Sequence, residues 1–149
     1  MLVAAAAVAC AALPAYAATE AECQAMWTKA DVNKDGVLSD AESQRYAAAM
    51  RVHDQKAAVD GRLDQAAFLQ ACKADVYAPR QADAGAPLKG ANSFTEGQAK
   101  DRALSYGLTD VGGLKKDDDG IWRGAATQDG KPVEVAVDFK GNVVPQATR

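Results

Sequence analysis

Five side chains with hard oxygen donors fall in step within one twelve-residue stretch, DVNKDGVLSDAE. They are Asp31, Asn33, Asp35, Ser39 and Glu42, at the first, third, fifth, ninth and twelfth places. A hard divalent cation such as Ca²⁺ gathers about six to eight oxygens in a flexible shell. Short Asp and Asn side chains at alternate positions converge on one point if the backbone curls around it. The curl needs a residue tolerant of positive φ, and Gly36 stands at the sixth place to supply it. Val37, at the seventh, gives its backbone carbonyl without cost to its apolar side chain. Glu42 is long enough to reach back and bind through both oxygens. Asp31, Asp35 and Glu42 together bring three negative charges, which favours a divalent over a monovalent ion. The competing reading is a solvated Asp/Asn/Gly turn, a common connection between helices.

The flanking segments must be helices if the donors are to converge. Before the loop, Thr19 to Ala30 spaces Cys23, Met26, Trp27 and Ala30 along one helical face. After Glu42, the Ala-rich SQRYAAAMRV reads as a second helix with Tyr46, Ala49 and Met50 inward. With Leu38 at the eighth place as well, the stretch resembles the EF-hand calcium loop. The resemblance implies Ca²⁺ held by Asp31, Asn33, Asp35, the Val37 carbonyl and Glu42, with Ser39 binding directly or through water. It also implies that Trp27, four residues before the loop, packs beneath it.

A second, degenerate loop follows at Lys56 to Ala67, KAAVDGRLDQAA. Asp60, Gly61, Leu63 and Asp64 stand at the fifth, sixth, eighth and ninth places. Lys56, Ala58 and Ala67 occupy the first, third and twelfth, where none can serve as a ligand. The loop is expected to keep its shape without its metal, with weak binding through Asp60 and Asp64 as the alternative. Leu63 would pair with Leu38 in a short two-stranded ribbon, and Phe68 and Leu69 would open the exit helix. Gly36 and Gly61 are only 25 residues apart (61 − 36), so the helices between the loops are expected to be short. His53, in this connection, reads as a surface residue.

Residues 1–17 form an apolar, Ala-rich run ending Ala15-Tyr16-Ala17 after Pro14, the pattern of a secretory signal cleaved after Ala17. No Lys or Arg precedes the run, so the true start is expected to lie upstream. Cys10 raises a lipoprotein alternative, to which Ala7-Val8-Ala9 is a poor match. No later stretch is apolar enough to span a membrane. Export places the mature chain in an oxidising compartment, periplasmic or outside the cell. Paired EF-hands would bring Cys23 and Cys72 together as a disulfide; two buried thiols are the alternative.

Val76 to Asn92 holds two prolines and two glycines without periodicity and reads as a linker between units at 18–75 and 93–149. Beyond it, Thr95 and Gln98 form a capping box for a helix running to about Tyr106, stopped by Gly107, with Ala99, Ala103 and Leu104 inward. Leu108 to Leu114 is a candidate first strand. Ile121 to Gln128 and Lys131 to Phe139 read as a hairpin about Asp129-Gly130. In the second arm Val133, Val135, Val137 and Phe139 alternate with Glu134, Ala136 and Asp138, one face apolar and one polar. Gly141-Asn142 turns into a last strand at Val143-Val144. This order, with DDDGIWRGAATQDGKPVEVAVDFKGNVV, is similar to the PepSY-like modules of exported bacterial proteins. The similarity rests on Gly107 to Val111, the Trp122 strand and the Val137-to-Asn142 ending. It implies a non-catalytic module that binds or inhibits a peptidase or another envelope protein. Asp117, Asp118 and Asp119 suggest a second metal site only weakly, because Ala126 occupies the matching twelfth place; a solvated acidic turn is expected.

The overall expectation is an α+β protein, with an all-α EF-hand pair preceding a small helix-plus-antiparallel-sheet unit. The net charge of −3 is wrong for nucleic acid. A single histidine and serines without a nucleophile motif argue against an enzyme. The leading expectation is an exported calcium-binding protein. The alternative keeps calcium as a structural brace and places the function in the C-terminal module.

Overall fold

The structure is a computed structural model that describes residues 17–56, 60–78 and 85–148. The first sixteen residues with Cys10, the Ala58 place of the second loop and the middle of the 76–92 stretch lie outside the described residues. The described chain combines helices with two antiparallel sheets, an α+β arrangement.

Helix α1 (Glu20–Ala30) starts at Thr19, whose hydroxyl accepts from the Glu22 N–H while the Glu22 carboxylate accepts from the Thr19 N–H. The cap satisfies amides that the first turn would otherwise leave bare. Strand β1 (Val37–Leu38) leads into α2 (Asp40–Val52), and β2 (Leu63–Asp64) into α3 (Gln65–Lys73). β1 and β2 pair antiparallel with Leu38 opposite Leu63, as expected. Cys23, Trp27, Leu38, Met50, Leu63, Phe68 and Cys72 form one core. Phe68 sits at its centre, with ring centroids 5.2 Å from Trp27, 4.8 Å from Tyr46 and 4.9 Å from Tyr77. Edge and tilted contacts of this kind suit the aromatic quadrupole. The Cys23–Cys72 disulfide is formed, tying α1 to α3 across 49 residues of sequence.

Two expectations change here. The helix between the loops, α2, is 13 residues long and so is not short, despite the tight spacing of the two glycines. The run Tyr46 to Met50 contains no breaker, and the helix ends only at His53, just before Asp54 turns left-handed at φ 54°. The 76–92 stretch is also packed at both ends. Val76 and Tyr77 are buried in the helical core, whereas Leu88, Gly90 and Asn92 hydrogen-bond to the sheet unit.

Helix α4 (Glu96–Tyr106) has the expected Thr95/Gln98 capping box and ends at Gly107 in the left-handed region. Strands β3 (Lys115–Lys116), β4 (Trp122–Gln128), β5 (Lys131–Val137) and β6 (Val143–Ala147) form a meander in the order β3-β4-β5-β6. Asp129 and Gly130 both take positive φ, 50° and 76°, the geometry that matches the twist of a two-residue hairpin. Val133, Val135, Val137 and Val143 face Ala99, Ala103 and Leu104 in a second core. Both residues of β3 are exposed lysines on one sheet edge, and β6 on the other edge carries Pro145.

Leu108 to Leu114 is not a regular strand. Thr109 bridges Thr127, and the Gly112 N–H reaches the Ala125 carbonyl, but Asp110 at positive φ and the Gly112-Gly113 pair interrupt the ladder. The alternation in β5 also ends early. Phe139 is exposed, while Asp138 is fully buried. Its carboxylate accepts from the backbone N–H groups of Leu88, Lys140 and Asn142 and from the Asn142 amide. Burial pushes this carboxyl up, but the four donors outweigh burial and hold it below the ordinary carboxylate range.

The two cores meet along α2 and α4. Ala48 of α2 is buried with Ala99 and Ala103 of α4, and the Arg51 guanidinium grips the Asp101 carboxylate at 2.9 and 2.6 Å.

Reduction of the disulfide, or Cys23→Ser with Cys72→Ser, should cost up to about 4 kcal/mol for a closed loop of this length; denaturant unfolding with and without reductant measures it. Asp138→Asn should lower the melting temperature at neutral pH. The lowered native pKa gives a stabilisation complete above the unfolded value of about 3.9 and lost as pH falls through the native value. The gap between wild type and variant in a pH series of melting temperatures should therefore close on acidification.

Candidate metal centre

The 31–42 loop is built by its own backbone amides. Asp31 closes α1, its N–H bonded to the Trp27 carbonyl, and the residue is only 7% exposed. One Asp31 oxygen, Oδ2, accepts from the Gly36 N–H at 3.2 Å. The Asn33 amide oxygen accepts from the Asp35 N–H, and Asp35 Oδ1 from the Val37 N–H, each at 2.9 Å. The Asn33 Nδ2 also donates to Asp35 Oδ2. Lys34 and Gly36 take φ values of 60° and 81°, which turn the chain round on itself. The curl demanded of the sixth place is present, and glycine meets it without strain.

Glu42 reaches back from the first turn of α2, as its length allows. Its Oε1 accepts from the N–H groups of Val32 (3.0 Å) and Asn33 (3.2 Å). The twelfth place is thus tied to the second and third. Ser39 caps α2 in backbone conformation, but its hydroxyl makes no capping bond. Val37 is half-buried in the ribbon, and Val32 points outward, 75% exposed.

Two oxygens of this loop are buried without any partner: Asp31 Oδ1 and Glu42 Oε2. They belong to the first and twelfth places, one from each end of the loop. A buried carboxylate oxygen left unsatisfied costs about 1–3 kcal/mol or more. A cation is the natural partner for such oxygens, and the remaining donors are hard amide, hydroxyl and carbonyl oxygens of the kind Ca²⁺ prefers. The donor set fits that ion. Among the described residues, no three His, Cys, Asp or Glu side chains cluster closely enough to form a site by themselves. The non-acidic donors Asn33, Val37 and Ser39 would have to complete a shell.

The second loop differs at the same places. Gly61 has a φ of 73°, close to that of Gly36, so the left-handed residue at the sixth place is kept. Asp64, at the ninth place, spends its Oδ1 on the Ala67 N–H as the N-cap of α3. Ala67 stands where Glu42 stands in the first loop, and Asp60 is exposed. Among Asp117 to Asp119, Asp117 is committed within the turn. Its Oδ1 accepts from the N–H groups of Asp119 and Ile121, and its Oδ2 from Arg123 at 2.7 Å. The Arg123 guanidinium and those amides hold its carboxyl below the ordinary range. The Asp119 carboxylate pairs with Lys89 at 2.9 Å.

The amides of Val32, Asn33, Gly36 and Val37 are the part of the site that side-chain spacing could not reveal, because every residue but proline carries one. Compared with known protein families, curated proteins and solved structures, the chain finds no match in any of the three.

In calcium-free buffer with chelator, Asp31→Asn and Glu42→Gln should each leave the melting temperature unchanged or raise it, since each softens a buried unpaired charge. If the loop holds calcium, the order should reverse at millimolar calcium, with wild type the more stable; paired thermal melts read both signs.

Proposed function

We propose that this chain is an exported, non-catalytic calcium-binding protein of EF-hand type with one working loop. The observation that carries the reading is the pair of buried, unpartnered oxygens at opposite ends of the loop, Asp31 Oδ1 and Glu42 Oε2. Asp31, Asn33, Asp35, the Val37 carbonyl, Ser39 and Glu42 would hold the ion. The commitment of Asp64 to helix capping supports a second loop without metal. The Cys23–Cys72 disulfide supports an oxidising location, and no described helix is long and apolar enough to cross a membrane.

The ion acts as a brace in this reading. A cooperative switch uses two sites, and only one loop keeps its ligand set. The disulfide also holds α1 against α3, the two outer helices of the unit, which opposes a wide opening of the pair. Residues 93–149 serve as a PepSY-like binding module for an envelope protein or peptidase. Its support is one helix on one face of a four-stranded meander, with Ala125, Glu134 and Gln146 exposed on the strands.

Calorimetric titration should give one calcium ion per chain, and calcium at about 100 times Kd should add roughly 2.7 kcal/mol to stability. Glu42→Gln should weaken binding by more than about 100-fold, since changes even beyond the ligands themselves cost about 10–100-fold. Two ions per chain would mean that the second loop binds. No heat at millimolar calcium would end the calcium reading.

A further inference from the structure

We infer that calcium held by the 31–42 loop stabilises the α+β unit as strongly as the helical unit, because α2 belongs to both cores. This rests on the calcium reading of the loop and adds to it a direction of transmission. Glu42 is fixed in the first turn of α2 and tied back to Val32 and Asn33 at the mouth of the loop. From that turn onward the helix is buried on two sides. Ala49 and Met50 lie in the core around Phe68, with Tyr46 packed against it. Ala48, with no exposed surface, lies in the other core with Ala99 and Ala103 of α4. Alanine against alanine lets the helix backbones approach closely and leaves no long side chain to absorb a shift by changing rotamer. At the far end of α2, Arg51 holds Asp101 through two parallel hydrogen bonds, fixing α4 in register. The disulfide clamps α1 to α3 and is anchored on no residue of α2. Any order that the ion imposes on Glu42 therefore passes into α4, and through α4 into β5 and β6, whose valines pack on it.

Hydrogen exchange on the full, oxidised chain tests this, with calorimetry on the same sample. In calcium at about 100 times Kd, amides of α4 and β5 should gain protection by the same factor as those of α1–α3, approaching 100-fold if the two units open together. Glu42→Gln should abolish the gain in both units. Binding heat with protection gained only in α1–α3, and less than about twofold in α4, would overturn the inference and leave the calcium reading standing. No binding heat would overturn both.

Discussion

Helix α2 has two cores to serve and only one set of side chains with which to do it. Toward the helical unit it presents bulk, Tyr46 and Met50, which meet the Phe68 cluster. Toward α4 it presents alanine, because α4 itself offers alanine there and the sheet valines stand immediately behind. A larger residue at Ala48 would force the helices apart, and a smaller one would leave a void and weaken the helix. The composition that makes 46–50 look featureless is thus the condition for joining two small units into one body. Neither unit has much core of its own, and domains of this size are marginal when separated.

The loop at the head of α2 faces a different constraint. The carboxylates of Asp31, Asp35 and Glu42 repel one another, and the backbone answers with amides. Gly36 binds Asp31, Val37 binds Asp35, and Val32 and Asn33 bind Glu42. One oxygen is left over at each end. The second loop has Ala67 in place of the reaching glutamate, and its Asp64 is turned into a helix cap. The two loops share a ribbon, Leu38 against Leu63, so the second loop supports the shape of its neighbour.

Much of this was legible in the sequence. The helical period around Cys23, Trp27 and Ala30, the Thr95/Gln98 box and the Asp129-Gly130 hairpin depend on local chemistry, and local chemistry is written in residue type; the pairing of Leu38 with Leu63 followed from the resemblance of the two loops. What was not legible depends on long-range contact. The burial of Ala48 against α4 leaves no periodic mark, because alanine suits a surface helix equally well. Val76 and Tyr77 looked like the start of a linker because their partners lie in other helices. Asp138 fell on the polar side of an alternating strand, and only the fold shows four donors closing on it. The interruption at Asp110 and Gly112-Gly113 was written in plain turn residues, but the hydrophobic Leu108, Val111 and Leu114 outweighed them.

The two edges of the sheet carry a further meaning. A free edge is a template for any extended chain. Here one edge is two exposed lysines long, and the other contains Pro145, which has no N–H to offer. Both features disfavour recruitment of another chain as an added strand. A protein ligand of this unit would have to be recognised through side chains on a face or a loop, and its own backbone could remain folded while it binds.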